Sequence, residues 1–510
     1  MTEARVQHPQ GSRNWRSAAV GFASAGAAVL FQGLLHLAVP DAPFAPFSIA
    51  EFVVRHVSGS LATSAIELLG HQALLLVGTL SILSALGLGF ILWRLSPWAL
   101  ALASLLLTLG AALLDPVHPS ILLSTVAGLV AGGAALSMSF LLAGRIGGPI
   151  PFDARRRRLL AGAVWGLGAV VLAGGTVWRL LRPLSAGSVS ADLPLQPMPD
   201  PSFDAITGLS PLATSPQAHY VVDINLDTPL VSEQAWRLFL HGAVGHPLAL
   251  TLKDLRGMFT VEHLVNLSCI SNTVGGPLVG NALWTGVSLT DLLDRAGPTT
   301  NARMLMARGA DGYYDTMPLD VARQPDVLVA FGMDDQVLTS AHGFPARLLI
   351  PGRYGSKSVK WLQELEVLTT FPLGYWEQRG WDPDGLVRTE SRFDVPADHS
   401  QVRSPFIAAG VAWAGTRGVS RVEVSINDGR SWRAAELEQV ADTPSWRRWK
   451  ITLELLPGVY PLSVRAIDGT GRVQDATYRP PHPSGTSGYH RIVVTVRDET
   501  VVLTAANSNP

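Results

Sequence analysis

Five apolar stretches crowd the first 183 residues, at 17–39, 66–93, 98–114, 119–143 and 159–181, each near the length that crosses about 30 Å of hydrocarbon. The spacing predicts five transmembrane helices over residues 1–183. Composition agrees, since 510 residues with 47% hydrophobic content and a mean hydropathy of +0.25 are too apolar for an average soluble protein and too long for one domain. Arg5, Arg13 and Arg16 precede the first stretch, Arg94 lies between the second and third, and Arg145 and Arg155 to Arg158 lie between the fourth and fifth. The positive-inside rule makes those segments cytoplasmic, so an odd number of spans puts everything after Leu181 outside. The first stretch lacks a small-residue cleavage motif and four more follow it, which argues against a removable signal. FSIAEFVVRHVSGS (47–60), with Glu51, Arg55 and His56, reads as an interfacial helix. A net charge of −1 gives no electrostatic ground for a nucleic-acid partner.

Beyond the spans the grammar changes twice. Residues 184–219 are rich in Pro, Ser, Ala and Asp without apolar period, and read as a linker. Residues 220–398 alternate short apolar strand-like runs such as WRLFLHG and RLLIPG with helical pieces such as SLTDLLDRAG, which predicts a mixed α/β domain. From 399 to 500 alternating strands such as RVEVSIN and HRIVVTVRD are broken by Asn, Asp and Gly turns, the pattern of an immunoglobulin-like β-sandwich. There is no internal repeat, and the terminal LTAANSNP is expected to fray.

NLSCISNTVGG (266–276) holds the only cysteine of the chain, Cys269. One cysteine makes no internal disulfide, no two-cysteine redox pair, no four-cysteine zinc site and no conventional iron–sulfur site. Three readings stay open from the residue alone: a buried apolar filler, a nucleophile, or a single thiolate ligand to a metal held mainly by something else.

The neighbouring segments bear on that choice. WRLFLHGAVGHPLALTLKDL (236–255), NLSCISNTVGGPLVGNALWTGVSLTDLL (266–293), HGFPARLLIPGRYGSKSVKWLQELEV (342–367) and SRFDVP (391–396) resemble, in order and spacing, segments of the sulfite oxidase family of molybdopterin enzymes. Within them Cys269 falls on the family's molybdenum ligand and Trp284, Gly286, Val287 and Leu289 on its W-x-G-V-x-L signature. NDGRSW (427–432) with Trp446 and Trp449 resembles the family's C-terminal domain of dimerisation type. The resemblance implies a molybdenum–molybdopterin cofactor. A pterin dithiolene brings two sulfurs to the metal, so one protein thiolate suffices. It also implies that His342 and Arg347 of H-G-F-P-x-R and Asn272 contact the cofactor. Gly355, Ser356, Lys357, Ser358 and Lys360 of GRYGSKSVK suit its phosphate, which needs backbone N–H groups and cations. Only four lysines stand among 39 Lys and Arg residues, and two of the four are in this loop. Tyr313 in DGYYDTMPL aligns with the family's pocket tyrosine; the alternative is a packed strand aromatic. Thr273 and Val274 stand where the family has paired arginines, and YVVDIN (220–225) lacks a further one, so sulfite is an unexpected substrate.

The expected protein is thus multidomain: an α-helical transmembrane bundle, a mixed α/β molybdopterin domain, then an immunoglobulin-like β-sandwich. Its expected activity is two-electron oxygen-atom transfer on a small substrate such as a sulfoxide, an N-oxide or a sulfite-like anion, catalysed outside the membrane. Electrons would pass to or from a separate carrier or quinone. The rival reading is a cofactor-free scaffold on a membrane anchor. His36 and His71 inside the first two stretches form a pair of the kind that binds b-type haem. Polar helix packing is the plainer reading of two isolated histidines. Arg155 to Arg158 followed by LLAGAVWGLGAVVLAGG resembles a twin-arginine export signal placed internally at the fifth span.

Overall fold

The structure, a computed structural model, describes residues 11–39, 42, 44–56, 72–95, 97–114, 121–146, 188–192, 194, 200–225, 228–440 and 442–497. The chain divides into two compact units, one of Met1–Leu184 with Asp223–Leu230 and one of Ser185–Val222 with Val231–Pro510.

The first unit is helical: α1 (Gly11–Ala38), α2 (Ala45–His56), α3 (Gln72–Leu95), α4 (Pro97–Leu114) and α5 (Ile121–Ile146). Four of these fall on the first four expected spans, and α2 covers most of the expected interfacial helix. Their packing is set by small and polar groups. Gly128 and Gly132 of α5 let α4 approach so closely that a Cβ on Gly132 would lie 2.9 Å from the Ala101 carbonyl. Ser139 donates to Ser24 across α5 and α1 at 2.8 Å, and Gln32 donates to Thr108 across α1 and α4. Large apolar side chains point outward instead, with Leu30, Leu83, Ile91, Leu106 and Leu129 all more than half exposed. Among the described residues one stretch, Val20–Ala38, combines the length and apolarity of a membrane crossing. The apolar runs in the other long helices are shorter, Leu76–Leu88, Ala99–Leu109 and Ala127–Leu136. The fifth expected span, the Arg155–158 cluster and His71 lie outside the described residues, while the His36 ring nitrogen Nδ1 is 2.7 Å from the Ala42 carbonyl.

The second unit is rich in sheet. One sheet runs β2 (Leu248–Leu250), β1 (Leu238–Gly242), β10 (Leu362–Leu368), β5 (Met304–Gly309), β6 (Tyr314–Pro318), with β1 and β10 parallel and the other pairs antiparallel. A second runs β3 (Val261–Ser268), β4 (Val279–Ser288), β7 (Leu328–Met333), β8 (Gln336–Val337), and β9 (Arg347–Leu349) also pairs with β7. β3, β4 and β7 are buried along nearly their whole length, which is why they read as continuous rather than alternating apolar runs. The antiparallel register of β4 on β7, Trp284 facing Met333 and Val287 facing Val329, helps build a core from Val265, Trp284, Ala330 and Phe344.

Strands β11 (Glu390–Val395), β13 (Phe406–Trp413), β17 (Arg447–Leu453) and β16 (Glu436–Leu437) form one layer of a C-terminal sandwich. β12 (Ser400–Arg403), β19 (His490–Arg497), β18 (Gly458–Asp468), β14 (Val419–Ser425) and β15 (Arg433–Ala434) form the other. Ala408, Val422, Trp449, Leu462 and Val494 fill the space between them.

Of residues 184–219, expected to be a linker, those described (188–192, 194 and 200–219) form with Tyr220 a strap tied to the sheets. Asp192 and Thr260 exchange hydrogen bonds of 2.9 Å, and Ser210 N donates to Asp394 at 3.0 Å. Asp204 pairs with the buried Arg448 at 2.7 Å, and Phe203, 1% exposed, lies under that arginine and Lys450. The Leu212 carbonyl accepts from Asn281 Nδ2 at 2.8 Å and Trp446 Nε1 at 3.1 Å. The segment has no apolar period because side-chain to main-chain hydrogen bonds hold it in place of a buried stripe.

Candidate functional site

Cys269 follows directly on β3, where the buried strand ends. Its N–H donates to the Leu278 carbonyl at 2.9 Å and its carbonyl accepts from Asn272 N at 3.0 Å, while Leu278 N donates to Asn272 Oδ1 at 2.9 Å. These bonds fold residues 269–278 into a closed loop with the half-buried thiol at its start. Sγ lies 3.0 Å from Ser271 Oγ; burial pushes the thiol up, partly offset by the hydrogen bonds from Ser271 and Ile270. The two glycines of the motif have separate reasons. Gly275 adopts φ +72°, and a Cβ there would strike the ring of His490; a Cβ on Gly276 would lie 2.6 Å from Asn272 Oδ1. Arg392 of β11 donates to the Gly276 carbonyl at 2.9 Å, so the sandwich helps hold the loop.

The segment after β9 comes up beside this loop. A Cβ on Gly355 would lie 2.6 Å from the Tyr220 hydroxyl and 3.6 Å from the Ser268 carbonyl, so the single turn Gly355–Lys357 sits against the end of β3. Tyr220 comes from the strap, and its hydroxyl is pushed up by burial and by neighbouring Cys269, with Arg347 opposing. Ser358 is buried; its Oγ accepts from Ile350 N at 3.0 Å and its carbonyl accepts from Arg347 at 2.9 Å.

Arg347 and Lys360 both act on His342 nearby. Arg347 is 5% exposed, meets the carbonyls of His342 at 3.3 Å and Ser358, and stacks its guanidinium 5.0 Å above the Trp284 ring. His342 Nε2 donates to the Pro216 carbonyl of the strap at 2.6 Å, and burial, with Arg347 and Lys360 adding, pushes its pKa down to about 4. Lys360 Nζ donates to the Ala341 carbonyl at 2.8 Å and lies 4.6 Å from the Trp361 ring centroid. His342, Arg347 and Lys360 are thus brought together.

Lys357 is placed elsewhere than its sequence context suggests. Its ammonium turns inward to Asp315 Oδ1 at 2.9 Å, the Thr316 carbonyl at 3.1 Å and Glu377, and its side chain is 3% exposed. A phosphate role for Lys357 therefore meets an ammonium already engaged by two carboxylates. Tyr313 is buried beside them, its hydroxyl 3.0 Å from Asp315 Oδ2 and 2.9 Å from the carbonyl of Ser356. Sequence reasoning passed over Tyr220, Asp315, Glu377 and the strap's His219, whose ring meets those of Trp284 and His342 edge-on at 6.0 and 5.5 Å between centroids. Asp315 stands two residues after Tyr313 across a strand start, a spacing that puts both on one face and was the available signal. Glu377 and the two strap residues carried none.

Residues 225–376 match the family model described as "Oxidoreductase molybdopterin binding domain", and 387–497 that described as "Mo-co oxidoreductase dimerisation domain". Mitochondrial sulfite oxidase of Homo sapiens is 30% identical over 307 residues, covering 50% of this chain and 56% of that protein. Sulfite oxidase of Gallus gallus is 28% identical, covering 50% and 67%, and NADPH nitrate reductase of Leptosphaeria maculans is 28% identical, covering 48% and 35%. The chain thus spans little more than half the length of the first curated relatives it matches. The sulfane dehydrogenase SoxCD of Paracoccus pantotrophus shares the fold at a TM-score of 0.50 and 22% identity, over 62% of this chain and 91% of that one.

The cofactor of these domains is molybdenum–molybdopterin, and the residues present fit it. Such a cofactor asks one thiolate of the protein, its pterin bringing the other sulfurs, and Cys269 at the end of β3 is a free thiol. Asn272 Nδ2 is buried with no hydrogen-bond partner among the described residues, a donor left over for a group bound at the loop. Arg347 and Lys360 are the cationic side chains here, and His342 beside them, with its pKa pushed down by burial, is a neutral hydrogen-bonding group.

Proposed function

We propose that this chain, whose residues 225–376 and 387–497 are molybdopterin oxidoreductase domains of the sulfite oxidase and nitrate reductase type, is a membrane-anchored enzyme that transfers an oxygen atom to or from a small substrate outside the membrane. The observation that carries this reading is the Cys269 loop, a sole thiol at the end of a buried strand with a spare Asn272 donor, set in a domain that also gathers the cationic Arg347 and Lys360 beside His342. The cofactor, when bound, supplies the two-electron chemistry through molybdenum. The protein does the rest. Cys269 offers the thiolate that burial alone would keep protonated, and coordination to a cation favours its ionised form. Arg347, His342 and Lys360 hold the cofactor's phosphate and ring, and Asn272 donates from the loop. Tyr313 takes the place of the pocket hydroxyl that orients an oxygen-bearing ligand.

Substrate class follows from charge. Thr273 and Val274 occupy the loop positions beside Cys269, Thr273 exposed and Val274 half-buried, and neither balances a dianion. A neutral oxide, such as a sulfoxide or N-oxide, enters such a site at lower desolvation cost than sulfite. The outward-pointing leucines of α1, α3, α4 and α5 and the basic segments between the apolar stretches support membrane anchoring with the second unit outside. The dimerisation-type sandwich supports pairing of two copies, and a separate carrier or quinone serves as electron partner. The test is molybdenum analysis of protein from a host able to make the cofactor, with a turnover screen on dimethyl sulfoxide, trimethylamine N-oxide and sulfite. One molybdenum per chain, lost in Cys269→Ser with the fold retained, is the expected result. Metal-free wild-type protein would favour the scaffold reading.

A further inference from the structure

The loop that starts at Cys269 is gripped at its far end by the C-terminal sandwich. His490, the first residue of β19, lays its ring against Gly275, where a Cβ would strike Nε2 first. Gly275 holds φ +72°, a backbone that L side chains rarely adopt, and the ring fills the space a side chain would need. Arg392 of β11 donates to the Gly276 carbonyl at 2.9 Å. Val274 Cγ2 would lie 3.6 Å from a Cβ on Gly488, two residues before His490. Three successive loop residues thus meet the sandwich.

Both polar grips are fixed from behind. His490 Nδ1 accepts from Phe393 N at 3.0 Å, and a ring nitrogen that accepts from an amide carries no proton. The neutral ring therefore keeps its hydrogen on Nε2, the edge toward Gly275. Arg392 donates through Nε to Asp394 Oδ1 at 2.8 Å and through Nη2 to Ser210 Oγ of the strap at 3.1 Å, which sets the direction of the Nη1 that meets the loop. The route from there to the thiol is short. Gly276 N donates to the Thr273 carbonyl at 2.8 Å, a Cβ on Gly276 would lie 2.6 Å from Asn272 Oδ1, and Asn272 N donates to the Cys269 carbonyl at 3.0 Å. A shift at Gly275 or Gly276 is passed through Asn272 to Cys269.

We propose that His490 is a positioning residue for the molybdenum ligand: from the sandwich it sets the course of the Cys269 loop, with Arg392 fixing the next carbonyl, so that the thiolate is placed before the cofactor binds. This rests on the reading of Cys269 as the protein's ligand to molybdenum. His490 acts through Gly275 and exchanges neither bonds nor electrons with the cofactor. Acid works against the hold. Burial first, then Arg392, push the His490 pKa below the usual imidazole value, with Asp394 and Asp398 opposing, and these are the charged groups facing the ring among the described residues. A doubly protonated ring sets an Nδ1–H against Phe393 N–H, donor against donor. The hold is complete above the depressed folded value and is lost as pH falls through it.

The test uses the full chain in detergent, made in a host that supplies the cofactor, and reads molybdopterin per chain together with sulfur ligation at molybdenum by X-ray absorption. His490→Asn keeps an acceptor for Phe393 N–H but removes the ring edge, and should lower cofactor content several-fold and weaken the thiolate's share of the sulfur signal in what remains. Gly275→Ala should lower content about ten-fold alone and clearly less in the His490→Asn background, because the ring it strikes is gone and backbone strain is what is left. Should His490→Asn fail to fold, the pH profile carries the test. Wild type at low salt should release cofactor as pH falls below the usual imidazole value, and Asp398→Asn should move that midpoint down, whereas a general weakening of the fold would move it up. An equal cost of the alanine in both backgrounds, or a midpoint that does not move down in Asp398→Asn, overturns the proposal. Failure of the underlying reading shows separately, as undiminished sulfur ligation at molybdenum in Cys269→Ser.

Discussion

Lys357→Met removes the ammonium from a site where Asp315 and Glu377 side chains are 2% and 5% exposed. Breaking a buried ion pair from one side costs about 3–5 kcal/mol, because the remaining charge is left without its partner. Here two carboxylates remain, and they relieve the cost by taking up protons. Asp315 already lies above its ordinary value, up to about 6, and Lys357 is the group that holds it down. Without Lys357 the folded pKa rises further while the unfolded one stays near about 4. A carboxyl with a raised folded pKa binds its proton more tightly when folded, so stability falls as pH rises from the unfolded value to the folded one. One proton over two pH units is worth roughly 2–3 kcal/mol, so the mutant should be penalised by that much more at about pH 8 than at about pH 6. Thermal melting of the full chain in detergent, followed by tryptophan fluorescence, should show Tm lowered by roughly 10 °C at the higher pH and by about half that at the lower. Adding Asp315→Asn and Glu377→Gln to the same chain should restore most of the loss, since the whole set is then neutral. An equal Tm decrease at both pH values, or no rescue by the neutral triple variant, would refute the reasoning.

Arg347→Ala should lower molybdopterin occupancy several-fold, and Arg347→Lys should recover only part of it, because a point charge replaces a fork that meets two carbonyls and the Trp284 face; cofactor content per chain is the measurement, and full occupancy in the alanine variant would count against the assignment. Sulfite should be a poor substrate, with Val274→Arg improving its KM more than its kcat if charge is what is missing; rapid sulfite turnover by wild type would overturn the charge argument. Replacing Arg155 to Arg158 with lysines keeps the charge but removes paired arginines, and should leave residues 185–510 shielded from protease added to spheroplasts. An active domain still exposed outside would end the export proposal.

What the sequence made legible was local. Cys269, His342 and Arg347 sit in motifs whose residues are neighbours along the chain, and the strands read as strands because apolar runs or alternation mark them. The family comparison bears on the cofactor these motifs imply, and leaves each residue's role to experiment. The inward turn of Lys357 was not legible, because a Gly, Ser and Lys loop looks the same whether its ammonium meets solvent, phosphate or two acids 42 and 20 residues away along the chain. The strap was missed for a related reason: Leu212, Pro216 and Tyr220 act through carbonyls and one hydroxyl, and hydrogen bonds to partners 69 to 234 residues distant leave no period in the sequence.

The strap bears on how a water-soluble version of the second unit is cut. Starting at Tyr220, where the recognisable domain begins, would discard the acceptor for His342 Nε2, the acceptor shared by Asn281 and Trp446, and the carboxylate that meets Arg448. Each leaves a buried donor bare, at about 1–3 kcal/mol apiece. A start ahead of Ser188 keeps all of them, so the practical boundary of the second unit lies at least 37 residues (225 − 188) upstream of residue 225, where the family match begins.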